Sequence, residues 1–269
     1  MKVELLSHVR IHADETTVQV LKEPNREAKK KSRMWLFCSA RCNVPVYVFE
    51  YHETRRKGVA QEFLAGWSGT LTANGYKPYF NLGNPNIANT ACLVHVRRYF
   101  AQIVKIAGGD AKAASAASVA LEARRRIDAM FKVDSKFDDM EPGGRKAARD
   151  AELRPLMEDF GGWARAQLPL ASPKLAPHRA LQYAAEFWPY VMNVLEDGAP
   201  GALEQRRRAG PANLRRRAQE LALQRCATRR AGVCGDIQRH HHGQGQRAQS
   251  QALRRVAADR DAQRRRAHR

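Results

Sequence analysis

The chain changes character at Gly198, and that break limits what can fold. Residues 198–269 hold 18 Arg and 5 acidic residues but no Lys, Phe, Trp or Tyr. Residues 1–197 hold 13 Lys, 16 Arg and 22 acidic residues. A segment without aromatics or Lys, carrying +13 of the formal +20 charge, cannot bury enough apolar surface to offset its own ordering entropy. The first 197 residues suit one ordinary domain with a sizeable core. Their residual +7 is compatible with a polyanionic partner but says little about which one.

Two readings of the tail stay open. It is either a genuine basic tail, disordered and nucleic-acid-binding, or GC-rich DNA translated in the wrong frame. Natural basic blocks usually mix Lys with Arg, which favours the second. One permitted codon choice for residues 205–224, read one nucleotide later, yields NAAERALRTFVVGRKNWLF. That peptide has an amphipathic start, a β-branched run and buried-type aromatics.

The segment before the break reads as mixed α/β. Residues 10–21, 34–39 and 44–51 read as three strands. A helix comes next at 57–67 and a short strand at 70–76. The Asn-, Gly- and Pro-rich stretch 83–90 reads as a loop. Residues 91–96 read as a fifth, buried strand, running into a helix at 97–107. Beyond Asp110 the pattern turns helical, at 114–131, 144–168 and 178–196. Val119, Leu121, Ile127 and Met130 form the apolar positions of the first of these helices. The aromatics Phe160, Trp163, Tyr183, Phe187, Trp188 and Tyr190 read as core.

No signal peptide and no apolar run of membrane-spanning length is present in the sequence. The five cysteines, at 38, 42, 92, 226 and 234, show no paired framework, so a reducing cytosol is expected. Asp14 is the residue with chemical promise. A carboxylate fixed on a central strand suits a divalent cation, which takes hard oxygen ligands. Its partner position on the fourth strand holds Asn74.

Several motifs occur in a fixed order: HADETTVQVLKEP, MWLF, FEYHETRRKGVAQEFLAGWSGTLTANGYKPYFN, ACLVHVRRYF, and later LASPKLAPHRALQYAAEFWPYVMNVLEDG. Together they resemble the insertion-sequence-66 transposase family across residues 1–198. The shifted peptide resembles the next segment of that family. The resemblance implies a ribonuclease-H-like mixed sheet of about five strands over residues 1–109. A helical insertion at 110–197 and the disordered basic tail at 198–269 complete the expected organisation.

The resemblance also implies an Asp-Asp-Glu triad holding two Mg²⁺ for DNA strand cleavage and joining. Asp14 matches the first Asp. Asn74 stands where the family has its second Asp. The family's Glu falls where Arg208 and Ala209 stand, so it is absent. One carboxylate of three cannot offset the repulsion of two adjacent cations, and an inactive remnant is expected. The chain begins 13 residues before Asp14, so it looks truncated at its N-terminus as well.

Arg55, Arg56 and Lys57, together with His95, Arg97 and Arg98, are the candidate DNA contacts, able to reach phosphates through charge-assisted bonds. The expected partners are insertion-sequence ends and target DNA, and intact transposase in an oligomer. The expected place is the bacterial cytoplasm, at the nucleoid. The alternative is a non-catalytic fragment that binds DNA or inhibits transposase. Programmed frameshifting, with this chain as the short product, is a third possibility.

Overall fold

A computed structural model describes residues 1–20, 27, 29–40, 45–107, 113–196, 198 and 203, with 113–117 described as backbone alone. Apart from Gly198 and Leu203, the Arg-rich tail lies outside the described residues, as does Cys42.

After a short helix α1 (Lys2–Leu6), the chain runs β1 (Arg10–Gln19), β2 (Lys31–Ser39), β3 (Tyr47–His52), α2 (Lys57–Phe63), β4 (Gly69–Ala73), β5 (Ile87–Ala91) and α3 (Leu93–Ile106). The five strands form one mixed sheet in the order β3-β2-β1-β4-β5. β1, β2 and β3 pair antiparallel, whereas β4 and β5 lie parallel to β1. The β-branched and aromatic content of the first three strands gives three successive antiparallel neighbours. β4 returns after α2, and β5 after a 3-10 turn at Lys77–Phe80, each connection giving the crossover length that a parallel neighbour needs.

The structure corrects two of the sequence readings. The fifth strand, Ile87–Ala91, starts within the Asn-rich stretch expected to be a loop and runs one residue past it. The run expected to be that strand, residues 91–96, instead opens helix α3. Leu93, Val96, Phe100 and Ile103 are all buried along α3, and this helical spacing outweighs the β-branched content of the run. His95 therefore sits in the first turn of a helix, not at a strand end.

The sheet separates two apolar clusters. On one face Ile11, Ala13, Trp35, Phe37 and Leu71 pack against Phe63 and Trp67. The Phe37 and Phe63 rings stack at 3.8 Å between centroids, 5° from parallel. Burying each such ring contributes roughly 1.5–3 kcal/mol. On the other face α3 packs with the later helices α4 (Ala113–Asp134), α6 (Arg154–Gln167) and α7 (Ala176–Met192), while the short α5 (Pro142–Ala148) lies between α4 and α6 in the chain.

In α4, Ile127 and Met130 are buried, but Leu121 is 48 % exposed. Ala120 and Ala123 occupy the inward positions instead, small enough to let α4 lie close on its neighbours. Phe160, Phe187 and Trp188 are core, and Trp163, Tyr183 and Tyr190 pack at its margin. A π turn at Arg149–Leu153 joins α5 to α6.

Candidate functional site

Strand alternation sends neighbouring β1 side chains to opposite faces. Ile11 and Ala13 face the Phe37–Phe63 cluster. Arg10 and His12 are buried with Thr72 and Thr90 on the α3 face, where Arg10 donates to Thr72 Oγ1 at 3.1 Å and the two threonine hydroxyls lie 2.7 Å apart. Asp14 continues the α3 side and Glu15 the other.

Ala13 opposite Ala73 is the last matched pair between β1 and β4. The next residues are Asp14, still within β1, and Asn74, just past the end of β4. The register thus sets the two side by side at the carboxyl end of β4, within reach of a polar contact. Asn74 Nδ2 donates to Asp14 Oδ1 at 2.7 Å and to Glu15 Oε2 at 3.2 Å. Asn74 Oδ1 accepts from the Tyr76 amide at 3.0 Å. The orientation of the amide is set by these partners. Turned over, its oxygen would face two carboxylates and its NH₂ group an N–H donor.

Each carboxylate has further partners. The Glu15 amide donates to Asp14 Oδ1 at 2.9 Å. His95 Nε2 lies 3.7 Å from Asp14 Oδ2. Arg55 bonds Glu15 Oε1, and the Tyr79 hydroxyl donates to Glu15 Oε2 at 2.9 Å. The Arg55 guanidinium sits 3.8 Å over the Tyr76 ring, and the Tyr76 hydroxyl donates back to the Arg55 carbonyl at 2.6 Å.

These contacts set the ionisation of the group. Burial alone would raise Asp14, but His95, then Asn74 and the Glu15 amide, outweigh it and hold the carboxyl below its ordinary value. Burial raises Glu15 against the pull of Arg55, and repulsion from Asp14 adds to the rise. For His95, burial works downward. The Cys92 sulfur and the Asp14 carboxylate overcome it and lift the imidazole to about 10.

Of the residues singled out from sequence, the structure brings together Asp14, Asn74, His95 and Arg55. The remaining candidates lie elsewhere. Arg56 is exposed and within 3.6 Å of Glu62. Lys57 opens α2, and Arg98 is half-buried on α3. Arg97 holds Asp128 of α4 through Nε and Nη2, at 2.5 and 3.0 Å. Glu15, Tyr76 and Tyr79 were not singled out from sequence. The signal for Glu15 was its place on the apolar face of β1, where a carboxylate must find a partner.

A model of the family described as "Transposase IS66 family" matches residues 1–200. The chain belongs to that transposase family. Curated relatives include the uncharacterized proteins y4hP, y4jD and y4qI of Sinorhizobium fredii, 26 %, 24 % and 27 % identical over 206, 204 and 210 residues. These matches cover 70–71 % of this chain but only 36–38 % of each relative, so the chain spans just over a third of their length. No solved structure matches the chain. Among the described residues, no helix is long and apolar enough to cross a membrane.

Proposed function

We propose that this chain carries the first part of a DDE-type transposase core, acting on DNA, in a copy that no longer cleaves or joins strands. In this reading residues 1–109 form a ribonuclease-H-like catalytic core and 110–197 a helical insertion. Residues 198–269 are an out-of-frame tail in which Arg208 and Ala209 stand at the third acidic position. Asp14 is the first acidic residue of the triad, and Asn74 replaces the second.

The observation that carries this reading is the 2.7 Å bond from Asn74 Nδ2 to Asp14 Oδ1. A Mg²⁺ site needs oxygen donors arranged near-octahedrally. Here the residue beside Asp14 turns a donor toward it, and its own oxygen is taken by the Tyr76 amide. The residues present do not fit the family's metal pair, and no step of strand cleavage is assigned to them. Among the proposed DNA contacts, Lys57 and Arg98 lie outside the carboxylate cluster, whereas Arg97 is committed to Asp128. Such a protein would work in the bacterial cytoplasm at the nucleoid.

The test is incubation of the purified chain with duplex carrying an insertion-sequence end, in Mg²⁺ or Mn²⁺. No nicking is expected. Nicking that disappears in Asp14→Asn would sink the proposal.

The +13 carried by residues 198–269 favours a second reading, a non-catalytic fragment that holds DNA or pairs with intact transposase and inhibits it. Binding by charge alone would be sequence-blind and fall steeply with salt. Deleting residues 204–269 would then abolish it. Binding that survives the deletion would place the contact on the folded part.

A further inference from the structure

We infer that the Asp14–Glu15 doublet is held as a metal-free structural node, in which donors of the chain itself take the place a divalent cation would need. The inference rests on the proposed role of Asn74 and extends it to Glu15, Arg55 and Tyr79. All four carboxylate oxygens are met from within the protein. Asp14 Oδ1 takes Asn74 Nδ2 and the Glu15 amide, at 2.7 and 2.9 Å, and Oδ2 faces His95 at 3.7 Å. Glu15 Oε1 takes Arg55, and Oε2 takes Tyr79 and Asn74, at 2.9 and 3.2 Å.

Asn74 is the only one of these donors that reaches both carboxylates. Two acidic residues in succession on a strand repel at low dielectric, and the Glu15 side chain is only 2 % exposed. One amide, one guanidinium and one imidazole offset that repulsion. A cation entering here would first have to displace the Asn74 amide and part Asp14 from His95. Arg55 is therefore a counter-ion fixed on Tyr76, not a free phosphate ligand.

The node predicts a specific thermal response of the full chain, wild type and variants, melted in EDTA and in millimolar Mn²⁺. The wild type should melt at the same temperature in both. Asn74→Asp replaces the shared donor with a third carboxylate, so it should melt several degrees lower in EDTA and recover in Mn²⁺. Asn74→Ala removes the donor without adding charge, so Mn²⁺ should not recover its loss.

An Asn74→Asp chain as stable as wild type in EDTA, or one that Mn²⁺ leaves unmoved, overturns the inference. If Asn74→Asp does not fold, the wild type still decides. A melting temperature that climbs with Mn²⁺, and ceases to climb in Asp14→Asn, overturns it, and an unmoved one upholds it. An inactive chain stabilised by Mn²⁺ through Asp14 would defeat this inference while leaving the proposal of inactivity intact.

Discussion

Gly75 lies against the Tyr183 ring so closely that a Cβ there would stand 2.2 Å from Cε2 and 2.6 Å from the hydroxyl. Gly75 is the residue after Asn74, so helix α7 reaches back over the loop that carries the Asn74 amide. The ring has little freedom to yield. Its centroid is 4.4 Å from that of Tyr99 and 4.9 Å from that of Phe187.

Gly75→Ala should therefore cost about 1–3 kcal/mol, as overpacking does, read from the urea midpoint. Tyr183→Ala in the same chain should absorb much of that cost. The double variant would then be less destabilised than the sum of the two single ones. Strict additivity would show that the cost of Gly75→Ala does not arise against the Tyr183 ring.

Arg149 and Asp134 form the most deeply buried ion pair among the described residues, at 2.7 Å, with side chains 1 % and 6 % exposed. Removing Asp134 takes away the carboxylate that faces a guanidinium only 1 % exposed in the helical core. Asp134→Ala should cost about 3–5 kcal/mol in denaturant unfolding. Asp134→Leu with Arg149→Met should cost far less, because an apolar pair of similar size needs no charge partner. If the double replacement is as damaging as the single one, the pair contributes through packing and not through charge.

The first three strands were legible because Trp35, Phe37 and Val48 sit in β-branched and aromatic runs and are buried, so local propensity and burial agree. β5 was not legible. Its sequence, IANTA, carries Asn89 and Thr90 and lies at a sheet edge. Its pairing with β4 is set by sequence-distant partners that propensity does not register. The reverse error at residues 91–96 had a visible signal, the continuation of Leu93 and Val96 into Phe100 and Ile103.

The nearness of Asp14 and Asn74 was read from their places on the first and fourth strands and again from the family resemblance, and it is a direct consequence of the β1–β4 register. The role of Glu15 was not legible, since its partners Arg55 and Tyr79 are 40 and 64 residues away. Arg55 alone looks like a surface cation.

The compositional break at Gly198 does not mark the end of packing among the described residues. Arg145 donates to the Gly198 carbonyl at 2.6 Å, and a Cβ at Gly198 would stand 2.1 Å from the Pro142 carbonyl oxygen. Leu203 is 2 % exposed within the helical cluster. Leu203→Ala should thus cost about 2–5 kcal/mol, measured by chemical denaturation. A loss under about 0.5 kcal/mol, the range of ordinary surface substitutions, would mean that Leu203 does not contribute to the core in solution.

The contacts of His95 with Cys92 and Asp14 give stability a defined dependence on alkaline pH. His95 is 8 % exposed and is raised from its ordinary 6.5 to about 10. Burial opposes the rise, and Cys92 and Asp14 drive it. A group whose folded pKa exceeds its unfolded one binds its proton more tightly when folded. The stabilisation is thus fully present below about 6.5 and is lost as pH climbs through about 10.

The urea midpoint of the wild type should accordingly fall across that window. His95→Gln keeps a side chain that can hydrogen-bond but cannot titrate. It should begin lower at pH 6 and vary less between pH 6.5 and 10. Parallel wild-type and His95→Gln profiles over this range would show that folding does not tighten the hold of His95 on its proton.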